Sequence, residues 1–150
     1  MIARLGRSVS RRIRSGQGDE GSILLLTIGY AVLGLVVVLV CADATSLYLA
    51  QKRLDALADA AALAGADGFS FTIGAGDEPV AALTDEGVRA LAESLVREVG
   101  GSAVFVSAET PDGTSSRVTV ADRWFPPIVT LFVSDGVRLE STATSRTALR

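Results

Sequence analysis

The longest apolar run in the chain predicts a helix that spans a membrane. No charged residue occurs from Ser22 to Ala42. With a rise of about 1.5 Å per residue, a helix of this length covers roughly 32 Å, the thickness of the hydrocarbon core of a bilayer. The run is longer than the roughly 7–15 apolar residues of a cleavable signal sequence, so we expect it to be retained as an anchor.

A second apolar pattern continues this helix beyond the span. Apolar residues recur at alternating steps of three and four, which is typical of a helix with one apolar face. These residues are Leu47, Ala50, Leu54, Leu57, Ala61 and Ala64. Because small side chains allow close approach, we predict one helix from about Ser22 to Ala66. Its alanine-rich face packs either on the protein's own C-terminal domain or on neighbouring subunits.

The rest of the chain alternates between helical and strand-like patterns. Residues 68–87 are interpreted as a glycine-rich linker with a short strand at Phe69–Ile73, and Thr84 as the cap of a second helix that ends at Gly100. That helix carries an apolar stripe at helical spacing. Its members are Val88, Leu91, Ala92, Leu95, Val96 and Val99.

Strand patterns follow the second helix. Alternating residues on both sides of a Pro-Asp-Gly turn, Pro111–Gly113, predict a hairpin, and alternation from Val137 onward predicts a last strand at an edge. The two prolines at 126–127 exclude a central strand there, so we expect a short helix or turn at Ile128–Val133. The fold class is α+β: a long N-terminal helix followed by a small antiparallel sheet, pilin-like in outline.

Charge is distributed unevenly about the span and predicts its orientation. Five arginines precede it, Arg4, Arg7, Arg11, Arg12 and Arg14, although the whole chain has a net charge of −3. Basic residues favour the cytoplasmic side. We therefore predict a cytoplasmic segment 1–21, a transmembrane helix 22–42, an alanine-rich extension 43–66 and an extracytoplasmic α+β domain 67–150.

The composition argues against the common classes of enzyme. The chain has no histidine and a single cysteine, Cys41, which excludes histidine-dependent triads and the usual zinc sites. Its loop acids, Asp77, Glu78, Asp85 and Glu86, are interpreted as solvated side chains. We expect no catalytic residue, metal, cofactor or small-molecule substrate, and no nucleic acid partner, because no basic and aromatic patch is visible.

The sequence allows three roles for two aromatic residues, Trp124 and Phe125. They are interpreted as part of the core, and the alternatives are a contact surface or an anchor at the lipid headgroups.

The N-terminal region, from Glu20 to Ala66, resembles the TadG-like proteins of the Tad (tight adherence) pilus system. The resemblance is carried by a glycine and a small residue at the start of the span, an aspartate after it, and an "ADAAALA" segment. The matching positions are Gly21, Ser22, Asp43, Arg53, Leu54, Ala58, Asp59 and Ala60 to Ala64.

This resemblance implies a non-enzymatic, single-pass membrane component of pilus assembly or secretion. It would have the membrane and other pilus or secretion-system subunits as partners, a homo-oligomer being one arrangement. Two alternatives stay open: a membrane-tethered module that binds a ligand or partner, and a TadE-like minor pseudopilin, which this chain resembles in size.

Overall fold

The computed structural model describes residues 19–73, 79–128, 130 and 134–146. The chain divides into two compact units, Met1–Ala42 and Asp43–Arg150. In chain order the elements are α1 (Asp19–Ala66), β1 (Ser70–Ile73), β2 (Pro79–Ala82), α2 (Asp85–Val99), β3 (Val104–Glu109), β4 (Ser115–Trp124) and β5 (Val137–Arg146).

The first unit contributes the N-terminal part of α1, whose apolar side chains are exposed. Every residue from Gly21 to Val38 is exposed, including Leu25 and Val36. The stretch Gly21–Ala66 is long and apolar enough to cross a membrane, as judged by length and composition. Exposed apolar groups over this length require a lipid or protein environment, since in water they would cost free energy in proportion to their area.

The second unit contains a three-stranded antiparallel sheet in the order β3-β4-β5. Its central strand, β4, places Ser116, Val118 and Val120 at full burial, while Leu139 and Ala143 of β5 lie on the same face. Successive side chains of a strand point to opposite faces, so these residues share one apolar side of the sheet, and Thr119 and Ala121 on the other face of β4 are buried as well. The predicted hairpin and the predicted edge strand are both confirmed.

Both helices contribute to the core on that apolar side. Helix α2 buries Val88, Ala92 and Val96, and Thr84 caps it by accepting a hydrogen bond from the Gly87 amide at 3.2 Å, as the sequence predicts. Leu91 and Val99, which the sequence placed in the same stripe, are exposed. The buried stripe is therefore narrower than the pattern suggested, because the domain covers only one side of this helix.

The linker prediction for residues 68–87 was incomplete. The predicted short strand is present as β1, but it pairs with β2, with Ser70 opposite Ala82 and Ile73 opposite Pro79. The residue pattern predicts no separate strand at Pro79–Ala82, because proline and alanine are poor strand formers. The predicted turn between β1 and β2 lies outside the described residues, as does most of the predicted turn at Ile128–Val133.

Candidate functional site

The alanine-rich face of α1 packs within the second unit. Among its predicted members, Leu54 and Ala61 are buried, and Leu47, Ala50 and Leu57 are partly buried against the same apolar core. Ala64 is half-buried. The core that they join also contains β4 and β5 residues.

The buried face drifts around the helix relative to the predicted stripe. Ala58, Ala62 and Gly65 are buried, although they lie one position beyond the predicted Leu57, Ala61 and Ala64. A straight helix has 3.6 residues per turn, whereas alternating steps of three and four average 3.5. A 3.6-residue period counted from Leu47 reaches position 65 after five turns, which is where the structure places the contact.

At Gly65 the helix comes closest to its neighbours. A Cβ atom at this position would overlap Ser116 Oγ of β4 and would lie 2.9 Å from Val88 Cγ1 of α2. Only a residue without a side chain allows this approach. Gly65 is thus a helical residue at the junction of α1, α2 and β4, and the helix ends one residue later, at Ala66.

A polar cluster joins the middle of the second-unit part of α1 to β5. Ser141 Oγ donates to Asp55 Oδ1 at 2.8 Å, and Gln51 Nε2 donates to Asp55 Oδ1 at 3.0 Å and to the Glu140 carbonyl at 3.3 Å. Lys52 Nζ lies 2.9 Å from Asp55 Oδ2. Hydrogen bonds from Lys52, Gln51 and Ser141 lower the pKa of Asp55 to about 2. We name Gln51, Asp55 and Ser141 the polar clamp.

A second set of contacts lies at the start of the second unit. Asp43 Oδ1 accepts a hydrogen bond from the Ile128 amide at 3.3 Å, and Ser46 Oγ accepts one from Trp124 Nε1 at 3.2 Å. These bonds fix the end of β4 and the turn after it to α1. The aspartate that follows the span therefore has a structural role, which the sequence could not reveal because its partner is 85 positions away.

The other motif positions have different surroundings. A Cβ atom at Gly21 would meet no atom within 4 Å, and Ser22, Arg53 and Asp59 are exposed. Asp43 bonds to Ile128, and Ala58, Ala61 and Ala62 lie in the core, whereas Arg53 and Asp59 are exposed at the surface of the domain. The arginines predicted to set topology, Arg4 to Arg14, lie outside the described residues.

Asp85, one of the acids considered in the sequence, has a structural role. Asp85 Oδ1 accepts a hydrogen bond from the Thr110 amide at 2.7 Å, so this acid joins α2 to the turn after β3. A groove of about 530 Å³ lies between α2 and β3, lined partly by Arg89, Glu93 and Val104. Within the described residues, no group of three potential metal ligands occurs.

Comparison with known protein families gives a match over most of the long helix α1. Residues 21–68 match the family model described as "Putative Flp pilus-assembly TadE/G-like". The similarity covers residues 21–68, about a third of the chain. The match confirms the resemblance seen in the sequence, and it covers both the candidate membrane span and the alanine-rich face. No curated protein and no solved structure matches the chain.

Proposed function

We propose that this protein is a non-enzymatic, single-pass membrane component of a Tad-type pilus assembly or secretion apparatus. The observation that carries the proposal is the coincidence of the TadE/G-like segment, residues 21–68, with the one described helix that could cross a membrane. The five arginines before Ser22 support a cytoplasmic N-terminus and an extracytoplasmic second unit.

The two parts of α1 have separate roles in this proposal. The alanine-rich face is occupied by the protein's own core, so it holds the domain and is not available to other subunits. The surfaces left for partners are the exposed apolar side chains of the span and, beyond it, Tyr48, Leu49 and Leu63. In a membrane, helices associate through packing and hydrogen bonds, and the exposed side chains of the span suit such contacts.

Gene deletion and crosslinking test the proposal in cells that produce Flp-type pili. Loss of the gene should abolish or reduce piliation, and a plasmid copy should restore it. A photo-crosslinking residue at Leu33 or Leu49 should capture pilus or secretion-system subunits, whereas the same residue at the buried Ala58 should give only intramolecular products. Normal piliation in the deletion strain, with no subunit captured from the exposed positions, would refute the assignment.

A further inference from the structure

The turn after β4 exposes apolar side chains beside the first residues of the second unit. Phe125 is 50% exposed and Ile128 is 40% exposed. Val137, which pairs with Trp124 across β4 and β5, is 41% exposed. The sequence from Trp124 to Ser134 contains no charged residue. We name Phe125, Ile128 and Val137 the apolar tip.

Hydrogen bonds place this tip close to the lipid boundary. Ile128 is bonded to Asp43, the first residue after the uncharged run, and Trp124 is bonded to Ser46. At about 1.5 Å per residue, a helix places Ser46 no more than roughly 6 Å beyond Ala42. The polar headgroup layer on each side of a bilayer is about 5–8 Å thick. With the hydrocarbon boundary at Ala42, as the sequence predicts, Asp43 and Ser46 would lie within the headgroup layer.

Two arginines beside the apolar tip also suit contact with lipid headgroups. Arg123 and Arg138 are direct partners in the β4–β5 register, an arrangement of like charges that destabilises an isolated sheet. Arg123 Nη1 donates to the Asp135 carbonyl at 3.0 Å, and Arg138 Nη2 lies 3.2 Å from Glu140 Oε2. Guanidinium groups at headgroup depth can also bind lipid phosphates, which would relieve this repulsion.

We propose that the apolar tip inserts into the headgroup layer of the membrane, so that the second unit rests on the bilayer and contacts lipid directly. The occupant of this surface is lipid because the tip continues from the membrane span, and aromatic side chains such as Phe125 and Trp124 favour this depth. The inference goes beyond the pilus role and depends only on the span.

Trp124 provides the test, since it is the only tryptophan in the chain. The full-length protein is reconstituted into nanodiscs at one copy per disc, with lipids brominated either near the glycerol end or near the methyl end of the acyl chain. We expect the fluorescence of Trp124 to be quenched, more strongly by the shallow bromines. Unquenched fluorescence in the shallow series would overturn the inference.

Substitutions that add charge to the tip distinguish its insertion from mere proximity of Trp124 to the membrane. The double variant Phe125→Glu with Ile128→Glu should lose most of the quenching, whereas Phe71→Glu, at a more exposed phenylalanine on β1, should retain it. Equal quenching in all three proteins would contradict insertion of the tip. If the double variant fails to fold, the single variant Phe125→Glu, at the more exposed of the two positions, provides the same comparison.

A second probe separates this inference from the span on which it depends. In a Trp124→Phe background, Val36→Trp should be quenched most strongly by bromines near the methyl end. Quenching at position 36 without quenching of Trp124 would refute only the insertion of the apolar tip. Absence of quenching at position 36 would refute both the membrane span and the insertion of the tip.

Discussion

The close approach at Gly65 leads to a prediction in which two effects of opposite sign compete. Replacing an exposed glycine in a helix by alanine stabilises the folded state by about 1 kcal/mol. At position 65, however, the added Cβ overlaps Ser116 Oγ and lies 2.9 Å from Val88 Cγ1. Ser116 and Val88 are fully buried, so neither can move into solvent.

At position 65 the cost of overpacking should outweigh the gain in helix propensity. Overpacking a tight core costs about 1–3 kcal/mol, which exceeds or cancels the gain in helix propensity. We therefore expect Gly65→Ala to lower the free energy of unfolding by between about 0 and 2 kcal/mol. The matched control, Ala60→Gly at an exposed position of the same helix, should cost about 1 kcal/mol through propensity alone.

Ser116→Ala turns this prediction into a double-mutant cycle. Ser116 Oγ is buried and has no hydrogen-bond partner among the described residues, a condition that costs about 1–3 kcal/mol. Removing the hydroxyl should be neutral or stabilising, and it also vacates the space that the new Cβ needs. Contacting residues show coupling energies of about 0.5–3 kcal/mol, so Gly65→Ala should be better tolerated in the Ser116→Ala background.

The cycle is measured by urea unfolding of the full-length protein in detergent micelles, with Trp124 as the fluorescent probe. The two substitutions should be non-additive, and Ala60→Gly should show no coupling to Ser116→Ala. If Gly65→Ala stabilises the protein by the full propensity gain, or if the two effects add within about 0.5 kcal/mol, the contact between α1 and β4 is refuted.

Four further predictions follow from the packing, the polar clamp and the membrane assignment. Ala61→Leu, at a fully buried position, should cost about 1–3 kcal/mol without any partner present, and an unchanged melting temperature would contradict burial of this face. Asp55 has a folded-state pKa of about 2, below its usual value of about 3.9, so its stabilisation is present above pH 4 and is lost as the pH falls toward 2. The difference in unfolding free energy between the wild-type protein and Asp55→Asn should accordingly shrink over that interval, and a constant difference down to pH 2 would contradict the lowered pKa of Asp55. Mass spectrometry of the mature protein should recover peptides that contain Ser22, while an N-terminus at Asp19 or Ser22 would favour the pseudopilin alternative and one at Thr45 a cleaved signal. A cysteine at the exposed Thr114, in a Cys41→Ser background, should react with an impermeant reagent applied to intact cells, and protection there with labelling only after lysis would reverse the predicted topology.

Local patterns were enough to predict most of the secondary structure. The uncharged run, the cap at Thr84 and the alternation in β4 each depend on residues within one element, and each element lies where its pattern predicts. The strand β2 escaped prediction because its four residues, Pro79–Ala82, are defined by pairing with β1 and not by composition. A period of 3.5 also misplaced part of the buried face of α1, since the helix continues at 3.6 residues per turn.

The contacts that define the candidate site could not be read from local sequence. Asp43 was recognised as a motif position, but its bond to Ile128 spans 85 positions, and the bond between Asp55 and Ser141 spans 86. The interpretation of Trp124 as a core residue agrees with its packing against the apolar core, while its neighbour Phe125 is exposed. A single sequence holds no signal that would have separated these two aromatic residues.

The long separation between α1 and its partner strands has a consequence for how the protein is made. Synthesis proceeds from the N-terminus, so the alanine-rich face emerges well before β4 and β5, the strands that will cover it. Contacts over such separations form slowly, because a long loop must close before they contribute. A leucine-rich face would expose a large apolar area until these contacts form, whereas alanine offers little apolar area to unrelated chains. An alanine-rich face therefore exposes less apolar area than a leucine-rich face would during the interval before β4 and β5 cover it.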